Sequence, residues 1–258
     1  MNTFPLKEHL GSVDDAARFQ RTQLICIFLI YGHFIIALAG VVPLWTTILS
    51  FPVLLVRWLF ALHELFHLRN AEQVDPITRL LPLMLTPFSL GYDEFQDIHY
   101  RHHASMATPE DPEYYQIRGS KISGFLNAMT APEQAFFRWI KYQSQKSNNR
   151  AKDSRFLVGV AIRFVLFVSL IAATGLNFLW YWIPLRASYA ASYFTFFYLL
   201  HRRGSEYGVY SVDLPPWTKK LYALLYGQDA MLGTFYHDVH HDYPRASARA
   251  LPFGSNKK

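Results

Sequence analysis

From Thr22 to Val56 the chain runs 35 residues without an Asp, Glu, Lys or Arg. Such a stretch exceeds what one buried helix needs, because about 20 apolar residues already cross a hydrocarbon core about 30 Å thick. The nearly unbroken apolar run from Leu24 to Val42 reads as a membrane span. After a break at Val41-Val42-Pro43-Leu44-Trp45, Ile48 to Leu62 continues into HELFH and returns the chain to its starting side.

A second region of this kind, Phe156 to Leu200, carries only Arg163 and Arg186 as charges. Its turn falls near Gly175 to Trp182, where Asn177 and Trp180-Tyr181-Trp182 suit a membrane–water interface. Between the two regions, Leu80 to Gly91 is apolar but only 12 residues long and interrupted by Pro82 and Pro87, so it is re-entrant or interfacial rather than spanning. The expected fold is an all-α integral membrane protein of one domain over 1–258. It has about four transmembrane helices in two hairpins, over 24–43, 48–67, 156–176 and 180–200. The segment 80–91 dips in, and a helical cap is built from 92–155 and 201–258.

Charge placement gives an orientation. Setting aside Arg57, Arg163 and Arg186 within spans, the other 22 of 25 basic residues fall on one side, and the two far-side turns have none. By the positive-inside tendency both termini and the cap are cytoplasmic. The N-terminal stretch lacks the pattern of a signal peptide. No basic run exceeds a pair, so the net charge of +6 is not a nucleic-acid footprint. A charged fraction of 17%, against about 25% for soluble domains, weighs against a soluble protein with buried hairpins.

The single cysteine, Cys26, excludes an internal disulfide, a Cys-based zinc ribbon and an iron–sulfur cluster, so any metal takes other ligands. The sequence supplies them. Eight of the 11 histidines form three groups: His63 and His67 in HELFH, His99, His102 and His103 in HYRHH, and His237, His240 and His241 in HDVHH. Spacings of three and four residues put side chains on one helix face. The expected topology brings all three groups to one membrane face. Eight imidazoles exceed the needs of one zinc and suit two metals, whose element the ligand type leaves open. His201, in FYLLHRRG, is a candidate ninth ligand. Glu64 and Asp238 are placed to orient imidazole N–H groups.

Other readings use the same residues. HELFH is literally H-E-x-x-H, the zinc metalloprotease pattern, but a protease leaves HYRHH and HDVHH without a reason. A soluble carboxylate di-iron bundle needs two E-x-x-H motifs plus further glutamates, whereas Glu64-x-x-His67 fits, Asp238-x-x-His241 only approximates it, and six histidines would be unused. A histidine-lined metal transporter predicts ligands near mid-membrane rather than at one face. His9 reads as a surface residue, His33 as either an intramembrane functional candidate or a neutral histidine paired with a neighbouring helix, and Arg57 as a paired or snorkelling cation.

With HxxxH, HxxHH and HxxHH in this order beside paired hairpins, the sequence resembles the integral-membrane fatty acid desaturase and hydroxylase superfamily from about Gln20 to Pro252. The resemblance implies two non-haem irons held by the eight histidines and His201, dioxygen as co-substrate, and electrons from an external ferredoxin or cytochrome-type donor. It implies a membrane lipid or another hydrocarbon as substrate. HHDYP, continuing to ALP, is similar to the third box of acyl and sphingolipid desaturases and carotenoid ketolases. HYRHHASMATPEDPE looks like the second-box loop of alkane hydroxylases. The expected reaction is acyl-lipid desaturation, with hydroxylation or ketolation of a hydrocarbon or carotenoid second.

Overall fold

The computed structural model describes residues 12–67, 74–81, 85–143 and 150–254, with side chains from 154 onward in the last segment. Among the described residues three helical stretches are long and apolar enough to cross a membrane: Val13–Leu38, Leu44–Phe66 and Ser154–Leu199. Among the described residues the only sheet is one antiparallel pair, Arg202–Arg203 with Glu206–Tyr207.

Helix α1, Val13–Leu38, begins well before the apolar run expected at Leu24. Ser12 caps it, accepting from Asp15 N while Asp15 accepts from Ser12 N. This capping box carries the polar segment into the helix. Arg18 in the added turns pairs with Asp229 at 2.6 Å. Gly40, at φ +76°, lets the chain reverse, and α2 follows over Thr47–Phe66. Phe51, Leu55, Trp58, Leu62 and Leu65 form its fully buried stripe, spaced at three and four residues. His33 joins the hairpin through both ring nitrogens, 2.7 Å from Thr46 Oγ1 and 2.6 Å from Ser50 Oγ.

The third apolar stretch has 46 residues and would measure about 69 Å if straight. It is broken instead into α7, Arg150–Thr174, and α8, Leu179–Tyr193. A 3-10 turn at Gly175–Phe178 separates them, opened by Gly175 at φ +55°. The rings of Phe167 and Trp182 lie 5.5 Å apart, whereas 15 residues of continuous helix would hold them about 22 Å apart. The two arms therefore fold back on each other. Thr47 Oγ1 donates to Trp180 O at 2.8 Å, which ties the two hairpins at their turn ends.

The segment expected to dip in at 80–91 is described except for residues 82–84. Leu85 O accepts from Tyr181 Oη at 3.1 Å, and Leu85 N donates to Tyr31 Oη at 3.4 Å, so this non-helical stretch sits between α1 and α8. Irregular backbone is tolerated among spans where protein covers it. Leu85, Thr86, Ser89 and Leu90 are buried.

The remaining helices gather at the other end of the hairpins: α3 (Pro76–Leu80), α4 (Tyr92–Ser105), α5 (Lys121–Met129), α6 (Ala131–Gln143), α9 (Pro216–Tyr226), α10 (Gln228–Phe235), α11 (His237–Asp242) and α12 (Leu251–Gly254). The two arginines within α7 and α8 are engaged from this layer. Arg186 grips Glu133 of α6 with both Nη atoms, at 2.8 Å for Nη1 to Oε2, and stacks 3.8 Å over Trp182. Arg163 donates to Leu80 O at 3.2 Å. Arg57 of α2 donates to the terminal carbonyls of α9, Leu225 O at 2.7 Å and Leu224 O at 3.0 Å. Parts of the expected cap, 144–149 and 255–258, and the N-terminal residues 1–11 with His9, lie outside the described residues.

Candidate metal centre

Helix α2 ends at HELFH, and its last carbonyls lack intrahelical partners. Helix α4 supplies them: Tyr92 Oη donates to Leu65 O at 2.7 Å, Gln96 Nε2 donates to Phe66 O at 2.8 Å, and Tyr100 Oη also donates to Phe66 O. These bonds fix α4 across the end of α2, with His99, His102 and His103 turned toward His63 and His67. On the opposite side, α8 passes into a π-helical turn at Phe194–Leu199. One extra residue in a turn rotates all that follows by about 100° about the axis, and His201 comes next. Arg202 then donates to Ile117 O at 2.7 Å, locking the chain beyond His201. Helix α11 carries HDVHH. Its predecessor α10 is anchored through Asp229, which accepts from Arg18 and, at 3.0 Å, from Arg249.

All nine histidines singled out from the sequence come together at this end, in two adjoining groups. The first holds His63, His67, His99, His103 and His240, and the second holds His102, His201 and His241. His237 completes the second, since its Nε2 is 3.1 Å from His241 Nε2 and 3.3 Å from His201 Nε2, which are 3.3 Å from each other. In the first, His99 Nε2 lies 2.9 Å from His67 Nε2 and 3.1 Å from His103 Nε2. The groups touch where His103 and His241 stack at 4.2 Å.

Hydrogen bonds set which nitrogen is bare. His63 Nδ1 faces Glu64 Oε1 at 3.1 Å, His102 Nδ1 faces Asp111 Oδ2 at 2.9 Å, and His201 Nδ1 faces Phe197 O at 3.1 Å. Carboxylates and carbonyls only accept, so each Nδ1 carries the proton and each Nε2 presents a lone pair inward. His63 Nε2 and His240 Nε2 are buried with no hydrogen-bond partner. Metal–imidazole bonds of about 2.1 Å at 90–109° put ligand nitrogens about 3.0–3.4 Å apart, the spacing found in the His201–His237–His241 triangle. The donor set therefore fits two metal ions.

The protonation states agree. Burial, ahead of repulsion from neighbouring imidazoles, holds His67, His99, His201, His237, His240 and His241 well below the usual histidine range. It takes His103 down to about 2. These rings are neutral, which is the form that binds metal. His102 is the exception. Burial opposes its charge, but the Asp111 hydrogen bond and the charges of Asp111 and Glu113 together raise it.

The sequence reading placed Glu64 against an imidazole, where it lies. Asp238 sits half-buried on α11 between His237 and Val239. Asp111 and Glu113, both nearly fully buried beside His102, have no role in the sequence reading beyond belonging to the HYRHHASMATPEDPE loop. Acidic residues next to prolines look solvent-exposed in sequence, and the nine-residue separation from His102 follows no helical period. Their signal was the Asp-Pro pair closing a loop directly after three metal-type histidines.

An apolar cleft reaches both groups, walled by Leu59, Phe60, Phe66, Phe95, Tyr193 and Phe197 and floored by histidines. No curated protein and no solved structure matches the chain. The family model for fatty acid desaturases, however, matches residues 37–256, which contain every one of these histidines and every wall of the cleft. With its helical hairpins and its double imidazole cluster, the chain belongs to the fatty acid desaturase family, whose members are oxidoreductases.

Proposed function

We propose that this protein is a dioxygen-dependent di-iron oxidoreductase that desaturates the acyl chains of membrane lipids. The observation that carries this reading is the set of bare, buried imidazole nitrogens at the floor of an apolar cleft. A cleft with phenylalanine walls holds a hydrocarbon by burial alone, and only its histidine floor offers chemistry. Bound there, two irons would supply the power to use dioxygen against an unactivated C–H bond. His63, His67, His99, His103 and His240 would hold one, and His102, His201, His237 and His241 the other. The balance requires two hydrogens from adjacent carbons, with two electrons and two protons from outside, to turn one dioxygen into two waters.

The chain's own residues do the positioning. Glu64, Asp111 and the Phe197 carbonyl hold three rings in the tautomer that faces inward. Phe60 and Phe197 exclude water from the cleft. Glu64 is spent on His63 Nδ1, on the side of the ring away from Nε2, which removes the free base an H-E-x-x-H protease requires.

We place four crossings in two hairpins, with both termini and the histidines cytoplasmic, on the strength of the folded-back arms and the 22 basic residues outside the spans. An acidic ferredoxin or a cytochrome-type donor docking on that basic face would supply the electrons. Hydroxylation or ketolation is the second reading, favoured by the HYRHHASMATPEDPE loop. Expression with iron and a donor, followed by lipid and pigment profiling, tests the assignment. A new double bond supports desaturation, and a hydroxyl or ketone supports the second reading. An unchanged profile from protein holding about two irons per chain overturns both.

A further inference from the structure

Away from the histidines, a separate cavity of about 270 Å³ opens where α3, the start of α4 and the first turns of α7 meet. Three guanidinium groups line it: Arg79, Arg155 and Arg163. Arg163 stands out. It is 3% exposed, it sits inside an apolar stretch, and although Nη1 donates to Leu80 O, its Nε and Nη2 are buried with no hydrogen-bond partner. A buried guanidinium with unused donors is destabilising unless a partner arrives.

Glycines make room for the guanidinium itself, and the cavity beside it leaves room for a partner. A Cβ on Gly159, one turn before Arg163 on α7, would lie 3.1 Å from Arg163 Nη1, and a Cβ on Gly91 would lie 2.5 Å from Glu94 Oε2 and 3.4 Å from Arg163 Nη1. Two glycines from separate elements thus clear space around one guanidinium. Glu94 and Asp93 also line the cavity, but among the described residues neither forms an ion pair with Arg163, while Arg79 pairs with Asp93 at 3.4 Å and donates to Val74 O at 3.3 Å. Burial, the largest influence, pushes the Glu94 carboxyl up although the nearby Arg163 charge pulls it down, which leaves it a weakened counter-ion. Arg155 on the rim is exposed and pairs with no described residue.

Depth decides the ligand class. Side chains on a helix lean toward its N-terminus, and the contact with Gly159 shows that the Arg163 guanidinium follows this rule. It therefore lies near the level of Gly159, about 5 Å along the axis from Phe156, where the apolar stretch begins. That is the boundary between lipid headgroups and acyl chains, to which long cations snorkel. Arginine matches phosphate oxygens with paired N–H donors, and basic pockets between spans hold lipid head groups. We propose that Arg155, Arg163 and Arg79 form a phosphate-binding site at the membrane interface, distinct from the histidine clusters, that takes the phosphate of an anionic phospholipid. The site does not depend on the reaction assigned above.

The test uses the full chain purified in detergent and native mass spectrometry. Phosphatidylglycerol, a diacylglycerol with the same tails and inorganic phosphate are added separately. The expected result is one phosphatidylglycerol per chain and no stoichiometric diacylglycerol, with affinity at least tenfold weaker in Arg155→Gln and Arg163→Gln. Competition by millimolar inorganic phosphate means that free phosphate also fills the site, and its absence assigns the site to the lipid alone. Should Arg163→Gln fail to fold, Arg155→Gln and Gly159→Ala, which intrudes on the guanidinium, carry the test. Equal binding of the two lipids, or unchanged phosphatidylglycerol affinity in the folded variants, overturns the proposal.

Discussion

Asp111 Oδ2 lies 2.9 Å from His102 Nδ1, and both side chains are almost wholly buried. The same carboxylate accepts from Ala107 N at 3.1 Å and from Glu113 N at 2.8 Å. Ala107 has φ +58°, the one positive value outside glycine among the described residues, and a non-glycine residue in that region costs about 1–2 kcal/mol. The loop after α4 therefore accepts local strain to return a carboxylate to an imidazole. Asp111→Asn keeps the shape and removes the charge. It should weaken metal binding about 10–100-fold, read as iron retained per chain against a graded chelator. Unchanged retention would remove Asp111 from the site.

His201 is the least expected member of the second group, lying outside the three histidine motifs. Its Nε2 stands 3.3 Å from both His237 Nε2 and His241 Nε2. His201→Ala should lower bound iron from about two to about one per chain while the protein stays folded. Elemental analysis with circular dichroism checks both halves of that outcome.

Gly233 supports a wall of the cleft. A Cβ there would fall 2.4 Å from Phe60 Cε2, and Phe60 lines the cleft beside His63. Gly233→Ala should push the ring inward, destabilise the fold by about 1–3 kcal/mol and shift products toward shorter or less bulky chains. Product profiles from cells expressing the two forms measure the shift, and identical profiles would show that Phe60 does not bound the substrate.

Acid should unfold the metal-free protein from a defined pH. In the folded state His67, His99, His103, His237, His240 and His241 are held below their usual value by burial. The unfolded chain then binds more protons below about pH 6.5, so stability rises with pH and is lost as pH falls. The loss starts near 6.5 and continues toward about 2, the value to which His103 is pushed. Thermal melts of chelator-treated protein between pH 7.5 and 5 should show a falling midpoint, and a flat curve contradicts the neutral cluster.

The Arg186–Glu133 pair links a membrane arm to the cap, with both partners largely buried. Removing one member strands the other, so Arg186→Met should cost about 3 kcal/mol. Arg186→Met with Glu133→Leu should recover most of it. Melting midpoints of the two variants test the coupling.

Local pattern carried much of this protein in its sequence. Uncharged length marked the apolar stretches, because desolvating charge forbids any other use of them. Histidine spacing marked the faces of α2, α4 and α11, because helical periodicity alone brings residues three and four apart to one side. The capping box that starts α1 early at Ser12 was also present in the residues, but the apolar run drew the boundary later.

The tertiary structure decided what lies far apart in the chain. Nothing near His102 in periodicity announces Asp111, and nothing near Arg163 announces Leu80, 83 residues away. The division of nine imidazoles into two groups mixes all three motifs, since His240 joins His63 while His241 joins His102. Adjacent residues on one short helix face different imidazole groups there. That choice depends on how α2, α4, α8 and α11 pack, and such packing is a property of the assembled core rather than of any one segment.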